Sequence, residues 1–324
     1  AGHDAVKAWL REDAALLRKG ALRALPMGYL ITGRIGTGKT FLVECWAGEL
    51  GIPMVELKNF RDKWVGATEG NLEAIFTTLH ALGQVVVFVD EADQMTGKRG
   101  GGDSDSGLSG RVYGMLAAEM ANTENRGRIL WIFATSRPDL VEVDLKRQGR
   151  LDVHIPLFPP VDEAEKRELF LAMARKLKTG LKAEELPPLP FAGPVSGNEL
   201  EGLLVRAYRQ YMLLTAGEPA GEGPPAPAAA GDGPGGFPLG TGTAASAIPP
   251  TPGDPAAPPK TLAQILAETV REFRPSAHTA RLELMDLLAV KECTDERFLP
   301  ERFRTLDPAA VDRRLEELLR LIPS

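Results

Sequence analysis

The chain is short of cysteine, histidine and aromatics, it carries no long apolar run, and each shortage removes a class of protein. Only Cys45 and Cys293 occur in 324 residues, and neither belongs to a CxxC pair or a Cys/His cluster with zinc spacing. That excludes a disulfide framework and points to a reducing, cytoplasmic compartment. The four histidines, His3, His80, His154 and His278, are isolated, so no HExxH zinc-protease helix is present and any proteolysis would need a partner. No stretch reaches the roughly 18 apolar residues of a membrane span, and no apolar core follows a basic start as in a signal peptide. Positive charge is not in excess either. With 38 bases against 44 acids the net charge is −6, which draws the chain as a whole onto neither nucleic acid nor an anionic membrane. An initiator Met is also missing, because the chain begins Ala1-Gly2-His3. It reads as a trimmed piece whose preceding region would carry targeting or adaptor-binding functions.

What is present suits an ordinary globular protein, at 44% hydrophobic and 25% charged residues. The length predicts about two domains at roughly 150 residues each. Short apolar runs at Tyr29–Thr32, Pro53–Leu57, Val85–Val89, Ile129–Ala134 and Val153–Leu157 read as buried strands, and helix-period segments separate most of them. That alternation predicts an α/β fold on a doubly wound parallel sheet over residues 1–158.

After Pro160 the strand signals stop. Asp162 with Glu165, and Ser196 with Glu199, form two capping-box patterns. The first precedes Leu169, Phe170, Met173 and Leu177 on one helical face; the second precedes Leu200, Leu203, Leu204, Ala207, Tyr208, Tyr211 and Leu214. Residues 217–259 hold 12 Pro, 10 Gly and 10 Ala in 43 positions, too little apolar material for a core, and read as a mobile linker or insertion. Leu262–Phe273 is helix-like again, so a helical lid domain is expected over 159–216 plus 260–298. A last helix, within 299–324, starts at Asp307-Pro308 and carries Val311, Leu315, Leu318, Leu319 and Ile322.

The chemistry concentrates in two motifs. Gly33-Arg34-Ile35-Gly36-Thr37-Gly38-Lys39-Thr40 fits GxxxxGK[ST] between a predicted strand and a predicted helix beginning at Phe41. Its glycines let backbone N–H groups curl around phosphates, and the positive end of the helix points at the same anion. Lys39 would reach the β- and γ-phosphates of ATP, and Thr40 would place its hydroxyl on Mg²⁺. The second motif is the apolar run Val85–Val89, which ends in Asp90 and Glu91. A buried strand ending in two acids sets Asp90 on the Mg²⁺ side and Glu91 as the base that polarises the attacking water. The plainer reading is that the acids merely cap the next helix, a role also expected of Asp93.

In this order, these motifs resemble those of an AAA+ ATPase of the AAA clade proper, the group that holds katanin, spastin, the proteasomal ATPases and the valosin-containing proteins. The resemblance runs from about Ala5 to about Ser276, apart from the insertion. It implies a P-loop NTPase module with ATP or ADP as ligand and a homo-oligomer of six copies around a central channel. Lys63-Trp64-Val65-Gly66 matches the family's pore loop, so Trp64, flanked by Lys63 and Val65, would grip a threaded protein or peptide; a rigid indole does so at low entropy cost. The Gly-rich stretch Gly97–Gly107 would be a second pore loop or a solvated surface loop. Ser136 stands at the sensor-1 position, where most relatives have Asn. Arg147 and Arg150 match the arginine fingers presented to a neighbour's γ-phosphate, although Asp144 and Asp152 are available to pair with them. Gly197 and Asn198, in Ser196-Gly197-Asn198-Glu199-Leu200, match the start of the lid helix near the adenine and ribose. Arg34 and Ile35 occupy positions where most relatives have prolines, and the adenine-contacting segment falls around Asp4–Val6.

The leading expectation is therefore an ATP-driven protein-remodelling motor. An ATP-gated assembly scaffold with slow turnover, suggested by Ser136, is the alternative. A nucleic-acid motor is disfavoured by the acidic charge and by the lack of a basic stripe with interleaved aromatics.

Overall fold

The computed structural model describes residues 2–57, 69–95, 106–191, 193–215, 260–275 and 278–322. The first unit carries α1 (Asp4–Arg18), β1 (Gly28–Thr32), α2 (Lys39–Leu50), β2 (Met54–Glu56), α3 (Glu69–Leu82), β3 (Val85–Val89), α4 (Ser106–Met120), β4 (Ile129–Thr135) and β5 (Val153–Pro156). All five strands are parallel and lie in the order β2-β3-β4-β1-β5. The sheet is thus the predicted one, an α/β P-loop NTPase fold with helices on both faces. Successive side chains on a strand point to opposite faces. Leu30, Val85, Val87, Trp131 and Phe133 accordingly share one core with Leu116 and Met120 of α4. Tyr29, Ile31, Val86, Phe88 and Ile132 share the other with α1 and α2, through Leu10, Val43 and Trp46.

Strands β1, β3 and β4 are buried at every residue, as continuous apolar runs in a covered parallel sheet must be. Strand β2 is shorter than its sequence signal because it sits at the edge and pairs with β3 alone. Pro53 still accepts from Val86 N, and Leu57 N still donates to Phe88 O. Helix α2 begins at Lys39, ahead of the expected Phe41, because left-handed Gly38 makes the turn and its carbonyl accepts from Leu42 N.

A second unit follows, formed by α5 (Glu163–Lys176), α6 (Gly197–Thr215) and α7 (Leu262–Glu272). Phe170, Leu200, Leu203, Leu204, Ile265 and Leu266 make its core. Since α7 packs with α6, residues 217–259 interrupt one helical unit; that stretch lies outside the described residues. The Ser196 box closes in both directions, with Ser196 N to Glu199 Oε2 at 2.8 Å and Glu199 N to Ser196 Oγ at 3.2 Å. The Asp162 box does not. Asp162 makes no side-chain cap, and Glu165 reaches one residue further back, to Val161 N. Leu214, expected on the packed face of α6, is exposed.

The remaining helices are α8 (Thr279–Glu292), α9 (Glu301–Arg304) and α10 (Pro308–Leu321). The sequence groups 260–298 with the lid, but only α7 joins that core. Helix α8 packs against β5 and against α10, where Leu284, Leu287 and Leu288 meet Val311, Leu315 and Leu318. Apolar periodicity marks that a helix has a packed face without naming its partner, so the sequence could not separate α7 from α8. Asp307 caps α10 by accepting from Ala309 N and Ala310 N. Leu319, expected on the packed stripe, is exposed beside it.

Candidate nucleotide site

The topology brings the two motifs together with a third strand end between them. The glycine loop leaves β1, the acids leave β3, and β4 lies between, with Thr32 level with Thr135 and Val89 level with Phe133. Ligands of such sheets bind at the carboxyl ends of the strands. One cleft there is lined by Arg34 through Phe41, Asp90, Glu91, Ser136, Gly197 and Asn198. The same cleft reaches Asp4–Val6 on α1 and His278, Arg281 and Met285 at α8.

Within the loop, two glycines are required by contact. A Cβ on Gly33, at φ +140°, would fall 2.2 Å from Leu157 O; one on Gly36, at φ +82°, would fall 3.0 Å from Ser196 Cβ. Gly36 O also accepts from Gly197 N at 2.9 Å, so the loop is bonded directly to the first residue of α6. Lys39 Nζ donates to Gly33 O at 2.8 Å and to Arg34 O at 3.1 Å, and Thr37 Oγ1 donates to Arg34 O at 3.0 Å. Burial lowers the Lys39 ammonium to about 8, against the opposing pull of Asp90, Asp93 and Glu91.

Thr40 Oγ1 donates to Asp90 Oδ2 at 2.7 Å. A hydroxyl beside a single carboxylate in an open cleft offers hard oxygen donors and leaves room for water and phosphate oxygens, which fits Mg²⁺. Glu91 has a left-handed backbone, φ 51°, rare for a side-chain-bearing residue and typical of functional turns. Its N–H donates to Asp90 Oδ1 at 2.8 Å, and its carboxylate accepts from Gln94 Nε2. Asp93 Oδ1 accepts from Thr135 Oγ1 at 2.6 Å, and that hydroxyl accepts in turn from Arg137 N. Ser136 lines the cleft beside this pair. Phe41 is exposed under Lys176 of α5, whose ammonium lies 5.5 Å from the ring centre.

The finger candidates are outside the cleft lining. Arg147 is 69% exposed, with Nε 3.2 Å from Asp144 Oδ1, and Arg150 donates to the Asp144 carbonyl. Asp152, the other acid available in the sequence, accepts from Met27 N and Gly149 N. Lys63, Trp64 and Val65 lie outside the described residues, as do residues 97–105 of the second expected pore loop.

Sequence reasoning missed three contacts here. Gln94 on Glu91 joins positions three apart, and a polar residue there carries no distinctive signal. The Thr135–Asp93 bond joins the end of β4 to the turn that follows β3, and Arg34 finds its partner 252 residues away, at Asp286. Nothing in the local sequence identifies either pairing.

A phosphate-type glycine loop, a strand-end acid pair and a parallel sheet in this order define a P-loop ATPase module. Residues 29–158 match the family described as "ATPase family associated with various cellular activities (AAA)", and the chain belongs to the AAA ATPases. It is 35% identical over 147 residues to a cell division cycle protein 48 homolog of Archaeoglobus fulgidus, covering 45% of this chain and 20% of that protein. Against the ATP-dependent zinc metalloprotease FtsH 1 of Symbiobacterium thermophilum it is 32% identical over 228 residues, 67% of this chain and 38% of that one. Against the peroxisomal ATPase PEX1 of Arthrobotrys oligospora it is 30% identical over 208 residues, 63% of this chain and 17% of that one. The chain therefore spans well under half the length of these relatives. ATP hydrolysis is the activity of the class. Among the described residues no helix is long and apolar enough to cross a membrane.

Proposed function

We propose that this chain is the motor module of a cytoplasmic protein-remodelling ATPase that works as a ring or spiral of six copies and draws a polypeptide through a central channel. The observation that carries the reading is the convergence of Lys39, Thr40, Asp90, Glu91 and Ser136 on one cleft whose loop is bonded to α6 through Gly36 and Gly197. That bond supports a lid that feels the nucleotide directly.

Backbone amides of Gly36 to Thr40 cradle the phosphates, and Lys39 holds its proton at Nζ against the β- and γ-oxygens. Thr40 and Asp90 would hold Mg²⁺, which would supply positive charge to neutralise the negative charge developing on the phosphoryl oxygens. Glu91 takes the proton from the attacking water, and Gln94 keeps its carboxylate oriented until then. Ser136 donates a hydroxyl toward the water or γ-phosphate, and Gly197 and Asn198 close over the ribose side. Arg147 and Arg150 leave Asp144 to meet the phosphate of the adjoining copy. Trp64, between Lys63 and Val65, grips the client.

The full chain with Trp64→Ala tests this. Basal ATPase should persist while ATP-dependent unfolding of a tagged fluorescent protein is lost; unfolding at the wild-type rate would remove the grip. The hydroxyl at Ser136, shorter than an amide, also favours the reading as a slow, nucleotide-gated scaffold. ATP-dependent assembly with turnover at background would establish that reading instead.

A further inference from the structure

We propose that Asp286, on α8 and remote in sequence from the glycine loop, is a positioning residue for the nucleotide phosphates, acting through Arg34. Arg34 Nε donates to Asp286 Oδ1 at 2.8 Å and its Nη2 donates to Oδ2, a two-point fork between a guanidinium 5% exposed and a carboxylate-bearing residue 7% exposed. A planar fork of this kind fixes direction as well as distance. The backbone of the same arginine does the second half of the work. Its carbonyl accepts from both Lys39 Nζ and Thr37 Oγ1, so the residue that Asp286 locks is the one against which the phosphate-facing lysine rests.

Helix α8, which carries Asp286, is tied to the sheet unit. At the far end of α8, Glu292 accepts from Lys146 Nζ at 3.0 Å, and the His154 ring lies 3.0 Å from the Glu292 carbonyl oxygen. Along its length α8 packs on α10. The fork therefore ties the loop to a helix that is itself bonded to the sheet unit.

This inference rests on the proposed nucleotide site. A buried ion pair can often be exchanged for apolar residues of similar volume without loss of stability, whereas removal of one partner strands a charge. The decisive variant of the full chain is thus Arg34→Met with Asp286→Leu. It should melt near the wild-type temperature yet bind ATP and ADP roughly ten- to a hundredfold more weakly by calorimetry, because the loop has lost its anchor. AMP, which carries no β-phosphate, should lose little. Wild-type ATP affinity in this stable double variant, or equal losses for ATP, ADP and AMP, would overturn the positioning role. Should the double variant not fold, Asp286→Asn serves, which keeps the shape and loses the charge: weaker ATP binding with AMP unchanged supports the role, and wild-type ATP affinity sinks it. Lys39→Ala separates the two readings. If that substitution leaves ATP affinity intact, the nucleotide-site assignment fails, whatever Asp286 does.

Discussion

Thr40 and Asp90, fifty residues apart, are joined by a 2.7 Å hydrogen bond that ties the first turn of α2 to the end of β3. The bond brings the loop hydroxyl and the strand-end carboxylate to one point of the cleft, where a hard divalent cation would take both oxygens. It is a relation between two secondary-structure ends, and it sets the first expectation.

Thr40→Ser should hydrolyse ATP within a few-fold of wild type, because the hydroxyl survives. Thr40→Val keeps the volume without the donor and should lower turnover by roughly 10²-fold or more. A titration of ATPase rate against Mg²⁺ concentration checks it, with a higher half-saturating concentration in Thr40→Val. An unshifted curve would move the cation elsewhere.

Nucleotide affinity should fall with rising pH through the Lys39 titration. Burial holds this ammonium near 8 in the free protein, well below the ordinary lysine range, so it is charged below that pH and neutral above it. A phosphate beside Nζ favours the charged form, and binding above pH 8 must therefore take up a proton. The dissociation constant should be flat near pH 7 and climb toward about tenfold per unit beyond pH 8. Calorimetry in buffers of different ionisation enthalpy counts the proton, and the absence of uptake at pH 9 would contradict the assignment.

Arg147 and Arg150 are both held by Asp144 of their own chain, at an exposed position where an ion pair contributes only about 0–1 kcal/mol. Asp144→Ala should consequently leave the melting temperature nearly unchanged. Arg147→Ala should depress ATPase by about 10³-fold if its guanidinium serves a neighbour. Mixing Arg147→Ala with Glu91→Gln subunits should restore part of the activity, since some junctions then combine an intact base with an intact finger. No recovery at any mixing ratio would confine these arginines to their own chain.

Phe170→Ala should destabilise the α5–α7 unit by about 3–5 kcal/mol, because the ring is fully buried among Leu200, Leu204 and Ile265. The sheet unit has separate cores, so urea unfolding followed at its buried Trp131 should shift less than unfolding followed by helical circular dichroism. Coincident, equally shifted transitions would show that the two units unfold as one.

The strands and the loop were legible because their signals are local. A run such as Val85–Val89 has one physical outcome, burial on both faces, and GxxxxGK[ST] dictates a turn that only glycine-rich backbone can make. The Ser196 box likewise needs only four consecutive residues to close. In the Asp162 box the returning bond is displaced by one residue, from Asp162 N to Val161 N, a shift that composition does not reveal.

What the sequence determined by itself, then, was the set of elements and the chemistry at their ends, since propensity, periodicity and capping act over a few residues. Which ends meet was decided by the tertiary structure. Strand order placed β4 between the two motifs and set Thr135 on Asp93, and the packing of α8 on β5 and α10 carried Asp286 to Arg34. Apolar stripes and single charges are satisfied by many partners of the same chemistry, and only the closing of the whole core selects among them.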